Sequence, residues 1–178
     1  MMMKISNLPA VIWITGLPCS GKTTIGAGIY QILKEKGMRA EHLDGDEIRK
    51  IFPDTGFSRE ERDRHIRRIG YLASMLERHG IFVVASFISP YKESRRFVRS
   101  MCNRFIEVYL STPLSVCEKR DTKGLYARSR LGQIKGFTGI DDPFEIPSVP
   151  ELIIDTSVLN IEESISLIIR YVFNINRQ

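Results

Sequence analysis

Cysteine is scarce in this chain: three residues in 178, at Cys19, Cys102 and Cys117, far apart in sequence. An odd, scattered set excludes a disulfide framework and a zinc site built from paired cysteines. It fits a reducing cytoplasm. Long apolar runs are missing too. Stretches such as Ile81–Ala85 fall far short of the ~20 residues that span a bilayer. The opening MMMK has no apolar core of an export signal, so a cytoplasmic protein with no membrane partner is expected. No internal repeat and no low-complexity segment is visible. A separate basic face or nucleic-acid motif is also lacking, which argues against nucleic acid as a partner. The net charge of +5 is not gathered in one tail. Basic residues concentrate in Arg59–Arg68 and Arg120–Lys135, a distribution that suits small anionic substrates.

What is present reads as one soluble globular domain, residues 1–178, with 43% hydrophobic and 26% charged residues. Such a length buries a full core without cross-links. Apolar, β-rich runs at Val11–Thr15, Glu41–Asp44, Ile81–Phe87, Phe105–Leu110 and Leu152–Asp155 predict strands. Helical patterns fall between them, at about Lys22–Lys36, Ser58–Arg78, Tyr91–Met101, Leu114–Lys119 and Ile161–Phe173. Ile81–Phe87 is apolar almost throughout, as a strand covered on both faces should be. The alternation predicts an α/β fold with a parallel sheet and helices on both faces. Ligands of such sheets sit at the carboxyl ends of the strands. The polar, Gly- and Pro-rich stretch Asp121–Pro147 does not fit the alternation. Long loops in compact domains usually serve function, so it reads as a mobile lid.

Gly16-Leu17-Pro18-Cys19-Ser20-Gly21-Lys22-Thr23 follows the first strand and opens a helix. That is the context a phosphate-binding loop of the Walker A type demands, and it makes the fold a three-layer P-loop NTPase. Glycines let backbone N–H groups approach phosphate, and the helix N-terminus adds favourable partial charge. Lys22 is placed to reach the β- and γ-phosphates of ATP, Thr23 to hold Mg²⁺, and Thr24 to complete the loop's contacts. Pro18 removes one donor from the loop. Cys19 beside a helix N-terminus is open to two readings, an activated thiol or a small residue that fits.

Asp44-Gly45-Asp46 closes the second strand. Two acids beside a phosphate loop repel ATP unless a metal ion or a proton intervenes. One of them, Asp44, is expected to help order Mg²⁺. Asp46 is the preferred proton acceptor for a substrate hydroxyl. The competing reading is a helix cap. Arg49 is either a solvated helix charge or an anion clamp. Ser58-Arg59-Glu60-Glu61 predicts a capping box. The apolar stripe after it runs back to Arg62 and His65. A charge at the head of a buried stripe must meet an anion or a cleft rim, which marks Arg62 as a ligand candidate. His65 reads either as a packed, hydrogen-bonded histidine or as a site residue. Phe57 lacks a local staple partner and could stack on a base for ~0.5–1.5 kcal/mol beyond burial. Ile88-Ser89-Pro90 ends the third strand. Ser89 and Pro90 make a good N-cap and first-turn pair, and the position also faces the cleft.

Together these stretches resemble the adenylylsulfate kinase family over about Val11–Phe173. The resemblance is carried by Gly16–Thr23, Asp44-Gly45-Asp46, Gly56-Phe57-Ser58, Ile66-Arg67-Arg68-Ile69, Phe87–Tyr91, Arg120–Tyr126 and above all Ile134–Pro143, which reads IKGFTGIDDP. It implies that MgATP phosphorylates the ribose 3′-hydroxyl of adenosine 5′-phosphosulfate. It implies that Phe57 and Phe137 sandwich the acceptor's adenine. Arg49, Arg62 and Lys123 would lie near its anions, with Leu125 and Thr138 beside them. Arg120 would lie beside the ATP adenine, Ser89 would correspond to a serine phosphorylated in some relatives, and the chain would form a homodimer. The chain departs from the family pattern at Glu47, where the family commonly has Asn, at Arg64-His65, where it commonly has Glu-Asn, and in Pro18-Cys19-Ser20 of the phosphate loop, where small residues are usual; Glu47 and His65 bear on the acceptor. They keep open an acceptor such as cytidine diphosphoramidate.

Overall fold

The computed structural model describes residues 8–174; the reading of the opening residues as lacking an export signal lies outside them. The elements run β1 (Val11–Gly16), α1 (Lys22–Glu35), β2 (Ala40–Asp44), α2 (Gly45–Ile51), α3 (Arg59–Arg78) and β3 (Phe82–Ser86). They continue with α4 (Lys92–Met101), β4 (Phe105–Leu110), α5 (Leu114–Lys119), α6 (Leu125–Arg130), β5 (Leu152–Ile154) and α7 (Ile161–Asn174). The five strands form one parallel sheet in the order β2-β3-β1-β4-β5. No helix among the described residues is long and apolar enough to cross a membrane.

β1 is central and buried along its whole length, which is why it tolerates an unbroken apolar run. Strand alternation sends Ile12 and Ile14 into one core, shared with Ile25, Ile29 and Leu33 of α1 and Ile168 of α7. It sends Val11 and Trp13 into the other, shared with Ile66, Ile69 and Ala73 of α3. Trp13 stacks on Phe87 with ring centroids 5.5 Å apart. The capping box forms as expected: Ser58 Oγ accepts from Glu61 N, and Glu61 Oε2 accepts from Ser58 N.

The short helix for which Asp44 is a candidate cap is present as α2, directly after β2. Two expectations need correction. Another short helix, α6, lies inside the stretch expected to be a lid without secondary structure. Ser89 does not cap α4. The N-cap residue is Tyr91, and the first-turn N–H of Lys92 is taken by the Glu145 carboxylate at 2.7 Å.

α3 and α4 cross closely because Gly70 presents no side chain. A Cβ there would lie 2.4 Å from Val98 Cγ2. Gly70→Ala should therefore cost about 1–3 kcal/mol through overpacking. Urea unfolding would show it as a lower midpoint at unchanged slope; an unaltered midpoint would mean that the helices can move apart freely.

Candidate active site

The loop between β1 and α1 has the backbone of a phosphate cradle. Gly16 sits at φ 154°, where a Cβ would meet the Leu110 carbonyl at 2.9 Å. Cys19 takes a left-handed φ of 61° despite its side chain. Lys22 Nζ donates to the carbonyls of Leu17 at 2.6 Å and Gly16 at 3.1 Å. Desolvation brings its ammonium pKa down to about 8. Burial pushes the Cys19 thiol up, with Asp121 adding to it, which is the opposite of an activated thiolate.

Two cavities open on this loop, and Cys19, Lys22 and Thr23 line both. The first, about 590 Å³, runs from Gly21 and Thr24 to Arg120. Its far wall is the β5–α7 connection, where Thr156, Leu159, Asn160 and Ile161 were not anticipated from the sequence. The rule that ligands gather at carboxyl ends of strands, applied to β5, was the available signal. Arg120 is fixed there by bonds to Thr156 Oγ1 at 2.7 Å and Thr156 O at 2.8 Å. Gly16, Leu17 and Ser20 form the loop's backbone without lining that cavity.

The second cavity, about 390 Å³, brings together all the expected acceptor residues. Asp44, Asp46, Arg49 and Phe57 come from the β2–α2–α3 side, with Arg62 and His65 on α3. Ile88 and Ser89 come from the end of β3, and Lys123, Leu125, Phe137 and Thr138 from the lid segment.

The two acids have different jobs. Asp44 caps α2, accepting from Asp46 N and Glu47 N at 3.0 and 3.4 Å. Its other oxygen accepts from Thr23 Oγ1 at 2.7 Å. Capping and metal ordering are thus compatible in one residue. Asp46 is 71% exposed at its side chain and pairs with Lys123 Nζ at 2.9 Å, across the cleft mouth. Thr23 Oγ1 and Asp44 are hard oxygen donors, and no cluster of three or more His, Cys, Asp or Glu exists among the described residues. That sparse set suits Mg²⁺, which keeps waters and phosphate oxygens as its other ligands.

The arginines are less free than expected. Arg49 donates to Thr55 O at 2.8 Å and lies over the Phe57 ring, 4.4 Å from its centroid. Phe57 therefore has a local partner after all, a cation rather than an apolar staple. Arg62 donates to Phe57 O, Thr138 Oγ1 and Gly136 O, with the Asp142 carboxylate 3.5 Å away. The anion that a buried arginine requires is thus supplied within the chain.

His65 is 3% exposed, and its Nε2 has no hydrogen-bond partner among the described residues. The reading of a packed, hydrogen-bonded histidine is only half met. Burial brings its pKa down to about 4, so the ring is neutral near pH 7. Glu47, another departure, pairs with Lys50 on the surface at 2.6 Å and does not line the cavity. Ser89 is 1% exposed at φ 38°. Its Oγ accepts from Trp13 Nε1 at 3.0 Å and donates to Thr15 Oγ1 at 3.0 Å.

Residues 8–155 match the sequence profile of the family described as Adenylylsulphate kinase. The chain belongs to the adenylylsulphate kinase family. Among its relatives is an adenylyl-sulfate kinase of Synechococcus sp. (strain JA-3-3Ab), 48% identical over 89% of this chain and 91% of that one. Another, from Halothermothrix orenii, is 47% identical over 90% and 87%. The Mycobacterium tuberculosis APS kinase CysC, solved in complex with AMPPNP and APS, superposes with a TM-score of 0.86 at 38% identity, covering 90% and 95% of the two chains. A hexameric APS kinase from Thiobacillus denitrificans superposes at 0.67 with 30% identity; the match covers 92% of this chain and 29% of that longer one. These relatives favour the adenylylsulfate acceptor over a cytidine nucleotide.

Two outcomes follow for this family member. Below its pKa of about 8 Lys22 is charged and attracts phosphate; above it, Lys22 must take up a proton from solvent as the nucleotide binds. The dissociation constant for a MgATP analogue should stay flat below that pH and weaken towards tenfold per pH unit above it. A flat profile to strongly alkaline pH would refute the assignment. Ser89, locked inward, should take up no phosphate on incubation with MgATP alone; peptide mapping that finds phosphoserine there would show that the loop opens.

Proposed function

We propose that this chain is an adenylyl-sulfate kinase. It moves the γ-phosphoryl group of MgATP to the 3′-hydroxyl of adenosine 5′-phosphosulfate, giving 3′-phosphoadenosine 5′-phosphosulfate and ADP. The observation that carries the reading is the meeting of two cavities at Lys22 and Thr23, one on the phosphate-loop side and one lined by the acceptor residues. A phosphoryl group held at that junction faces both.

Catalysis in such a site is positioning and charge stabilisation. Lys22 gives up its loop carbonyls and donates to the transferring phosphate. Thr23 and Asp44 hold Mg²⁺, which when bound neutralises charge on the phosphate oxygens. Arg120 flanks the ATP base. Phe57 and Phe137 offer flat faces to the acceptor's adenine, and Arg49 stiffens the first of them. The 3′-hydroxyl loses its proton to Asp46 as the new P–O bond forms, with Lys123 holding that carboxylate at the cleft mouth. Neutral His65 has an unspent Nε2 for a polar group of the acceptor. Residues 121–147 act as the lid. A single domain, a cytoplasmic location and a homodimer complete the reading, on the strength of the family resemblance.

The test is ADP release with MgATP and adenosine 5′-phosphosulfate, beside a panel of cytidine diphosphates that includes the diphosphoramidate. Saturable turnover with the phosphosulfate is expected. Lys22→Ala should lower it more than about 100-fold. Turnover with a cytidine acceptor alone would transfer the assignment to that nucleotide and make His65 the residue that re-specified the cavity.

A further inference from the structure

One buried side chain joins the phosphate loop to the lid segment and has no part in the chemistry above. Tyr126, on α6, is 2% exposed. Its hydroxyl donates to the Pro18 carbonyl in the phosphate loop at 2.9 Å. Its ring meets Phe137 edge-on, with centroids 4.9 Å apart and planes at 82°. Pro18 has no N–H, so this carbonyl is the only backbone group through which the residue can be tethered by hydrogen bonding. A second contact joins the same two segments. Gly139 sits at φ 94°, and a Cβ there would lie 2.8 Å from Leu17 Cδ2. Leu17 and Pro18 thus touch the lid segment on both sides of Phe137.

The loop end of this linkage answers to nucleotide. Leu17 O is the 2.6 Å acceptor of Lys22 Nζ. A phosphate that draws Lys22 onto itself takes away the shorter of that carbonyl's two hydrogen bonds and leaves it the Ser20 N–H at 3.2 Å, so the 17–18 peptide that bears it is held less firmly. The other end is a compact turn. The amides of Gly136 and Phe137 donate to the Asp141 carboxylate, Gly139 N donates to Asp142 O, and Ile140 N donates to Phe137 O. A push on this turn moves Phe137 as part of a unit.

We propose that Tyr126 is a positioning residue that transmits the state of the phosphate loop to Phe137, the lid-side wall of the acceptor cavity. Nucleotide in the first cavity then shapes the second without touching it, and by linkage an acceptor on Phe137 tightens or loosens nucleotide by the same factor. The inference rests on the proposed function only in taking Phe137 as the acceptor's wall, so its test uses no acceptor.

The measurement is hydrogen exchange at the amides of residues 136–140 with and without MgAMP-PNP. In the native chain nucleotide should change exchange there by about fivefold or more, the lower end of ordinary coupling between sites. Tyr126→Phe keeps the ring and loses the Pro18 bond. It should cut that response by more than half while nucleotide still binds. If Tyr126 merely braced α6, exchange would rise equally with and without nucleotide and the response would survive; that result overturns the proposal. So does a native turn indifferent to nucleotide. Should Tyr126→Phe fold poorly, Gly139→Ala disturbs the same junction from the Leu17 side and must also blunt the response. Failure of the acceptor assay would leave these readouts unchanged, so the two ideas fall separately.

Discussion

Arg95 ties together parts of the chain that are far apart in sequence. It is 3% exposed, and each of its three nitrogens has an acceptor. Nε donates to Glu107 on β4 at 2.8 Å, one Nη to Ser89 O and the other to Glu145 O, both at 2.5 Å. A buried guanidinium is tolerated only with such complete pairing. Once paired, it fixes the end of β3, the middle of β4 and the end of the lid segment relative to one another. Trp13 adds a bond from the central strand to Ser89 Oγ. The acceptor cavity therefore has a rigid floor. Glu145 returns the contact by capping α4 with its side chain and donating its own N–H to Pro90 O at 2.8 Å.

Half of the charge in the basic segments that look like an anion-seeking surface is spent on the chain's own acids. Arg59 reaches Glu145, Arg67 reaches Asp63 and Glu93, and Arg130 reaches Glu118. Arg62 spends its donors on the lid turn. Within the two cavities the cations are Lys22, which lines both, Arg120 in the first, and Arg49, Arg62 and Lys123 in the second.

Much of this was legible in advance. The strands and long helices follow from apolar periodicity and fall within a residue or two of expectation. α2 entered only as the helix that Asp44 or Asp46 would cap, and α6 was not anticipated, because it lies in a polar, Gly- and Pro-rich stretch. α6 even begins after a left-handed glycine with no side-chain cap. Ser89 misled for a physical reason: Ser-Pro favours a cap, but an indole N–H 76 residues away needed its oxygen. The acceptor residues were readable because their motifs lie in short blocks. Tyr126, Thr156 and Asn160 were not, since only tertiary packing gives them a role.

The resting position of Lys22 has a consequence for turnover. Its ammonium is already held by two carbonyls of its own loop. It leaves them only for a partner of higher negative charge. A triphosphate offers that more strongly than a diphosphate does. After transfer, the loop's own carbonyls compete for the lysine on better terms, and the spent nucleotide is easier to expel. The loop is thus its own product-release device.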